Sequence, residues 1–507
     1  MLTYQDLLAC GQNEQARIEF IYAAIKDHEG GKKFKIGQRA GLFYRHHDPN
    51  IENYNKIVYD SNGIAHKDEI SPNHKIMANF YQIFIDQFVE YQLGNGVSFE
   101  NAAVKERLGN QFDHDIKKVL RYAANDGEAY ALVTENTGIV PFCIACQLDG
   151  DEPYFIPLRD EDDGSIKAGI RYWRLANGKP LRATLYELDG FTEYKEYTVD
   201  DKPNLAVLVE KRAYKVESIS NDSEGEYISV GTNYSELPIV KMGFINNQSS
   251  IVGNEGALTG YNMILSGFAN QVDWDILYWA INNADGMNET DDANFLIDLL
   301  KTHVLHMSGE ASATPHQIII QHEARKVILD ELRDRLFEDF QAVDTRKSSA
   351  NMTATEIRSA YNGLNRKCDM IETYLDEFIR NVLKLLGFDN ETWHYQRAVE
   401  INVTEAVTNA IAEAPFMGDE STTKTLCEIH GKTDEFENIQ SNKSADEMDI
   451  MRGTDNAESI ADSIAQKVIN AIKDFFKKIF KIKDGNAEDT EKVDESEDGE
   501  SGFGPNN

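Results

Sequence analysis

The sequence predicts an α+β chain in which amphipathic helices bracket one antiparallel, strand-rich region. Three observations carry this. Between Asn73 and Tyr91 the apolar residues Ile76, Phe80, Phe84 and Phe88 recur every four positions, the spacing of one helix face. From about residue 128 to 245 the texture changes to short β-rich runs divided by turn residues. Past Pro238 helical spacing returns and culminates in an uninterrupted pattern over 353–387.

Taken in order, residues 1–40 read as helical, with a turn at Gly30–Gly31 and lysines at 32, 33 and 35. The 73–91 helix is stopped by Gly94, and a second helix through Phe112, Ile116, Leu120 and Ala124 ends near Gly127. The runs AYALVTE, IVPFCIAC, YFIPL, IRYWRL, LRATLYEL, FTEYKEYT and LAVLVEKRAYKVES then read as strands, with ANGK (176–179) and LDG (188–190) in hairpin positions. Residues 254–275 form a helix with Leu258, Tyr261, Leu265, Phe268 and Val272 at helical spacing. It is rich in small residues, which let a neighbouring backbone approach closely. An insert follows, with apolar ILYWAIN, the acidic run NETDD, a short helix through Phe295 and Leu299, and strands expected at THVLHM and QIIIQ.

The next helix, 323–342, sets Ile328, Leu332, Leu336 and Phe340 on one stripe and Asp330, Asp334 and Glu338 on another face. A loop of small polar residues with two adjacent cations, Arg346 and Lys347, leads to the strongest helix pattern in the chain. Thr353 and Glu356 have capping-box spacing. Ile357, Tyr361, Leu364, Cys368, Ile371, Leu375, Phe378, Val382 and Leu385 repeat at three and four, and Gly387 supplies the stop. At 1.5 Å per residue this helix spans roughly 50 Å. Residues 398–440 give one strand, AVEINV, and two helical pieces. Residues 458–483 read as a lysine-rich amphipathic helix, suited to packing in an oligomer or to a membrane surface. The acidic stretch 484–507 lacks the apolar residues a core needs.

Composition excludes one class of function. With 51 Lys plus Arg against 86 Asp plus Glu, the formal charge is −35, whereas a duplex-gripping protein needs a basic face to displace counterions. Any contact with nucleic acid must be local. Five widely spaced cysteines and no apolar leader point to a reducing compartment, and no run approaches the roughly 18 apolar residues of a membrane span. No phosphate-binding loop, GxSxG, HExxH or paired CxxC framework is present. The lone Cys143-x-x-Cys146 lies in an apolar strand-like run and reads as buried and structural, because redox pairs occupy exposed helix N-termini. His46, His47 and Asp48 read as an exposed polar turn, since three adjacent side chains do not readily converge on one ion.

Several stretches, in this order, resemble the portal (head–tail connector) proteins of tailed bacteriophages, in the branch typical of phages of Gram-positive bacteria. They are NFYQIFIDQFVEYQLGNGVSF (79–99), DGEAYALV (126–133), ELPIVKMGFINN (236–247) and LTGYNMILSGFANQVDW (258–274), the last with Tyr261, Asn262, Ser266 and Asn270 in the expected places. The resemblance spans roughly residues 40–440 and implies a phage-portal fold in a ring oligomer of about twelve subunits. Residues 1–40 would precede an antiparallel β-rich wing (41–252). Stem helix 1 (253–278), a small α/β clip (279–322) and stem helix 2 (323–342) would follow. A tunnel loop (343–352), a long wing–crown spine helix (353–387) and a helical crown (388–457) would complete the fold.

The same resemblance implies functional residues. Arg346, Lys347, Ser348, Ser349 and Asn351 would face DNA in the tunnel loop. Asp330, Asp334 and Glu338 would line the channel, where negative charge keeps phosphate from adhering. Asn288, Glu289, Asp291 and Asp292 would meet partners at the clip. No catalytic residue, cofactor or metal is implied. Expected partners are further copies of the chain, double-stranded DNA held transiently and without sequence preference, the large terminase subunit, a head–tail adaptor, and major capsid and scaffolding proteins. The expected location is the portal vertex of the virion, with host cytoplasm during assembly and no membrane. The alternatives are a capsid-internal minor head or scaffold protein without a channel, and an enzyme such as a nuclease or a redox protein using Cys143 and Cys146.

Overall fold

The computed structural model describes residues 2–59, 63–69, 71–135, 137–174, 178–199, 202–221, 227–273, 277–282, 294, 312–317, 322–344, 346, 354–397, 403–429, 436 and 439–440. The chain divides into two bodies, Met1–Glu400 and Ile401–Asn507.

The first body opens with helices α1 (Tyr4–Ala9), α2 (Glu14–Gly30), α3 (Lys32–Tyr44) and the short α4 (Pro49–Glu52). A two-stranded ribbon follows, β1 (Ile57–Tyr59) with β2 (Ala65–Lys67). Next come α5 (Phe80–Leu93), β3 (Val97–Phe99), α6 (Ala102–Leu108) and α7 (Phe112–Asp126). Helix α7 stops at Gly127, whose φ of +88° is left-handed, and a Cβ there would lie 2.7 Å from the Asn247 carbonyl oxygen.

Helix α5 starts later than its apolar spacing predicts. Residues 74–78 are extended and lie along helix α8 (Glu255–Asp273). Asn270 Oδ1 accepts from the His74 N–H (2.5 Å), Ser266 Oγ from Ile76 (2.9 Å) and Asn262 Oδ1 from Ala78 (2.9 Å). Ser266 also donates to the Ile76 carbonyl at 3.2 Å. The match is geometric: two residues of extended chain advance about 6.6 Å and four residues of helix about 6.0 Å. Alternate amides of the segment therefore meet successive turns of α8, and the helix is displaced to Phe80.

The antiparallel region expected to hold about seven strands is organised as three sheets. β4 (Glu128–Thr134) is central in a sheet ordered β13 (Ile239–Gly243), β4, β5 (Gly138–Phe142). The strands β6 (Tyr154–Arg159), β7 (Ile166–Trp173), β8 (Arg182–Glu187), β9 (Gly190–Val199) and β10 (Lys202–Arg212) form an antiparallel meander. Its β8–β9 hairpin turns at Leu188–Asp189, with Glu187 opposite Gly190. β11 (Lys215–Asn221) pairs with β12 (Tyr227–Thr232) in a separate two-stranded sheet among the described residues. The run LAVLVEKRAYKVES is thus cut at Ala213–Tyr214, where the Tyr214 N–H donates to Asn233 Oδ1 and its hydroxyl to the Glu187 carbonyl. The run IVPFCIAC ends as strand at Phe142, because the amides of Ile144 and Ala145 turn inward to Asp126 Oδ2 (2.8 and 3.1 Å).

In the insert, β14 (Leu277–Asn282) pairs antiparallel with β15 (Ser312–Gln317). The partner strand falls on SATPHQ, whose last residue, Gln317, is the first of the QIIIQ run, in a register from Leu277↔Gln317 to Asn282↔Ser312. THVLHM, the helix through Phe295 and Leu299, and Asn288, Glu289, Asp291 and Asp292 lie outside the described residues. So do 318–321 of QIIIQ, 398–402 of AVEINV, and 458–507.

Helix α9 (His322–Asp339) precedes the loop, and α10 (Ala354–Leu386) follows it. α10 buries Leu364, Cys368, Ile371, Leu375, Phe378, Ile379, Val382 and Leu383 in the main core with α5, α7, β4 and β13. It ends at Gly387, φ +86°. A strand absent from the sequence reading, β16 (Trp393–Tyr395), pairs with β3. Arg397 ties the same segment back to α10 through Asp369 (2.6 Å) and Glu372 (2.5 Å). In the second body α11 (Val403–Met417) packs with α12 (Asp419–Ile429), and Val403, expected as strand, begins α11.

Candidate functional site

The loop between α9 and α10 is built on a fixed base. Helix α9 closes with Gln341 in the left-handed region (φ +53°), while the Ala342 N–H donates to the Phe337 carbonyl at 2.8 Å. This i→i−5 bond caps the helix, three residues short of its expected end at 342. Val343 is buried, and the side-chain amide of Gln87 on α5 brackets it. The Val343 N–H donates to Gln87 Oε1 (2.8 Å), and Gln87 Nε2 donates to the Val343 carbonyl (2.9 Å). A side chain here reproduces both bonds of a strand partner.

Asp344 is held by charge. Arg333 Nη2 donates to Asp344 Oδ1 at 2.6 Å, and both side chains are largely buried. The Arg333 guanidinium lies 4.8 Å from the Phe337 ring centroid, so one face is covered by π density while its edge meets the carboxylate. The same oxygen accepts the Arg346 N–H at 3.0 Å, which turns the chain outward. The Arg346 side chain is 65% exposed and its Nε lies 4.0 Å from Asp344 Oδ1, too far for a hydrogen bond. The loop thus presents one cation to solvent directly beyond a two-residue anchor. Lys347, Ser348, Ser349 and Asn351 lie outside the described residues, as does Thr353 of the expected capping box.

A second cation is internal. Lys367 on α10 is buried, with Nζ donating to the Phe340 carbonyl (3.1 Å) at the end of α9, 4.4 Å from the Phe88 ring centroid and 5.9 Å from that of Phe340. Desolvation pulls its pKa from 10.5 down to about 8. Its placement is favourable in one respect: the carbonyl end of a helix carries partial negative charge. Phe84 stacks on Phe340 (4.7 Å) and meets Phe337 edge-on (4.9 Å), which completes an aromatic joint between α5 and α9 under the loop.

Of the acids placed on this helix by sequence, Asp330 and Glu338 are exposed and Asp334 is half-buried. The residues that position the loop, Gln87, Arg333, Asp344 and Lys367, were not singled out by the sequence reading. A signal existed for two of them. Lys367 interrupts the apolar row between Leu364 and Ile371, and Gln87 falls on the Phe84–Tyr91 stripe. A polar residue on a buried stripe must find a specific partner.

The two sequence motifs considered for other chemistry are structural. Cys143 and Cys146 are buried, and burial pushes the Cys146 thiol well up, which suppresses the thiolate a nucleophile requires. Burial also raises Asp126, which anchors this turn, to about 6. His46 and His47 are exposed, with His46 Nε2 at 2.6 Å from the Met77 carbonyl and His47 Nδ1 at 2.6 Å from Glu52. Asp48 departs from the expected exposed turn. It is buried, caps α4 through the Asn50 N–H (3.0 Å) and accepts from Asn262 Nδ2 (3.0 Å). Among the described residues no group of three His, Cys, Asp or Glu could hold a metal, and no helix is long and apolar enough to cross a membrane.

Residues 39–450 match the family described as phage portal protein, SPP1 Gp6-like. The portal protein of Clostridium phage phiCD119 is 24% identical over 394 residues, covering 72% of this chain and 82% of that protein. The portal protein of Bacillus phage SPP1 is 21% identical over 456 residues, covering 80% and 86%. A solved chain from the neck of a native GTA particle, computed with C12 symmetry, aligns with a TM-score of 0.37 and 10% identity over 74% of this chain and 96% of that one. The chain belongs to the SPP1 Gp6-like phage portal protein family, whose members are structural, non-enzymatic phage proteins.

Proposed function

We propose that this chain forms a ring of about twelve subunits at one vertex of the capsid and encloses a channel through which double-stranded DNA is packaged and ejected. In this reading α8 and α9 are the stem, 279–322 the clip that docks the large terminase subunit and later a head–tail adaptor, and α10 the spine joining wing to crown. The ring would also nucleate procapsid assembly with capsid and scaffolding proteins. No nucleotide-binding motif is present in the sequence, so the work of translocation would come from the terminase.

The observation that carries the reading is the loop after α9. Its root is fixed by Gln87 and Arg333, and its first cation, Arg346, is exposed in a chain of formal charge −35. A conduit must let DNA slide. A largely repelling wall with a few exposed cations on short loops gives brief phosphate contacts without net adhesion. Exposed Asp330 and Glu338 on α9 suit such a wall.

Electron microscopy of the purified chain tests the assembly: a ring with an axial opening wide enough for a duplex is expected. A persistent monomer, or a ring closed at its axis, would refute the channel and favour a minor head or scaffold role. Replacing Arg346 and Lys347 with Glu should leave ring formation intact and reduce packaged DNA. Unchanged packaging would remove the loop from the mechanism.

A further inference from the structure

We propose that the outer edge of β13 is a strand-addition site that takes a short, uncharged, apolar stretch of a separate polypeptide. The site is complete in a single chain, whether or not rings form. β13 ends its sheet, and among the described residues β4 is its only strand partner. The Val133 N–H donates to the Pro238 carbonyl (2.8 Å) and the Phe244 N–H to the Gly127 carbonyl (3.0 Å), so the even-numbered residues of β13 bond towards β4. In an antiparallel pair the direction of the backbone groups alternates. Ile239, Lys241 and Gly243 therefore turn their N–H and C=O groups to the outer edge. Among the described residues no hydrogen bond reaches those of Ile239 or Lys241, although Ile239 is 6% exposed.

An open edge is a liability, because a row of free backbone groups templates pairing with other chains. The usual guards do not act here. Pro238 lacks its N–H on the side of β4, where its carbonyl bonds, and so leaves the outer side unguarded. The Lys241 side chain stands on the sheet face rather than across the edge, with Nζ 3.0 Å from Glu128 and 2.8 Å from Asn247 Oδ1. Beside the edge lies a cleft of about 580 Å³ between α10 and the start of β7, with Ile239, Val240 and Lys241 in its lining.

The lining selects the occupant. Backbone donors and acceptors repeating at alternate residues are met in full by another extended backbone, the mode of strand addition. Ile166 and Leu237 wall the cleft on the Ile239 side and Leu385 of α10 on the Val240 side, with exposed Leu188 at the β8–β9 turn. An added strand thus meets apolar groups on both faces, the environment of a run rich in Val, Ile and Thr. The charged lining groups are internally paired: Lys167 with Asp163 (3.7 Å), Lys384 with Glu236 (2.7 Å) and Lys241 with Glu128. Glu128 is shared with Lys33 and Arg159, and Asp160, Glu161 and Asp162 on the turn before β7 offset these two cations. No field of one sign is left to attract the acidic stretch 484–507 or another strongly charged segment. Nor do the described edge strands β1 and β10 suit from a second copy. β1 lies among Lys56, Lys67, Asp68 and Glu69, and the register of β10 is broken after Val207 and after Val209, which twists its edge away.

The test uses the native full chain and a bead-displayed library of random peptides of about seven residues. Uncharged runs rich in Val, Ile and Thr should be enriched. The free peptide of the enriched sequence should slow site-resolved deuterium exchange at the Ile239 and Lys241 amides by about tenfold or more. N-methylation of its alternate residues should distinguish its two edges: one series weakens binding by about tenfold or more, the other by less than about twofold. No enrichment, or an enriched peptide that leaves both amides unprotected or tolerates both methylated series, would overturn the site. Native chains in which these two amides are already protected, in rings or singly, would show the edge covered by this chain itself and overturn the separate partner.

Discussion

Replacing Lys367 with Met probes the joint beneath the loop, and the expected effect follows from the structure. The Lys367 ammonium has left water for one carbonyl and two ring faces, and its pKa falls from 10.5 to about 8. Folding therefore disfavours the protonated form. Below pH 8 both folded and unfolded chains keep the proton, and the full cost is present, about 3 kcal/mol for a shift of this size. As pH rises through 8 the folded chain releases the proton first, so the cost fades until the unfolded lysine also titrates near 10.5. Stability contributed by this group should thus increase by about 2 kcal/mol between pH 7 and 9.5.

Met fills similar volume between Phe88 and Phe340 without a charge. Lys367→Met should accordingly be more stable than the native chain at pH 7 by about 1–3 kcal/mol. Urea unfolding of both chains at pH 7 and 9.5 isolates the effect, because tyrosines and other shared titrations cancel in the difference. The advantage of the variant should shrink as pH rises. A difference that stays flat with pH, or a variant less stable at pH 7, would show that the carbonyl and ring contacts fully replace hydration, and the reasoning would fail.

Other expectations concern the ladder and the anchor. Asn262→Ala, Ser266→Ala and Asn270→Ala should each cost about 1 kcal/mol and speed deuterium exchange at the Ala78, Ile76 and His74 amides respectively by about fivefold; exchange that does not change would mean these side chains do not hold the segment. Asp344→Ala strands a buried guanidinium and should destabilise by about 3–5 kcal/mol, whereas Arg333→Met/Asp344→Val, which removes both charges, should recover most of that loss in thermal unfolding. If the double variant is as unstable as the single one, packing rather than charge explains Asp344.

Much of the fold is legible locally. The 3–4 repeat from Tyr361 to Leu385 and the stop at Gly387 define α10, whose buried face is the one the repeat marks. Leu188–Asp189–Gly190 marks its hairpin. These features depend on residues a few positions apart, where side-chain spacing and backbone preference act directly. For the candidate site, the sequence singles out the cations of the loop but not the residues that fix its root.

What tertiary structure alone decided involves partners far along the chain. Ile76 lies on the stripe of Phe80 and Phe84, yet the chain there is extended, because Asn262, Ser266 and Asn270, nearly two hundred positions away, satisfy its backbone. β16 exists because β3 offers an edge, and β15 falls on SATPHQ because register with β14 places it there. Gln87 and Arg333 turn an apparently free connection into an anchored one in the same manner. Periodicity reports which face of an element is buried. Which distant donor or acceptor completes a buried backbone group is set only when the chain is folded, since an unpaired one costs more than a local preference can return.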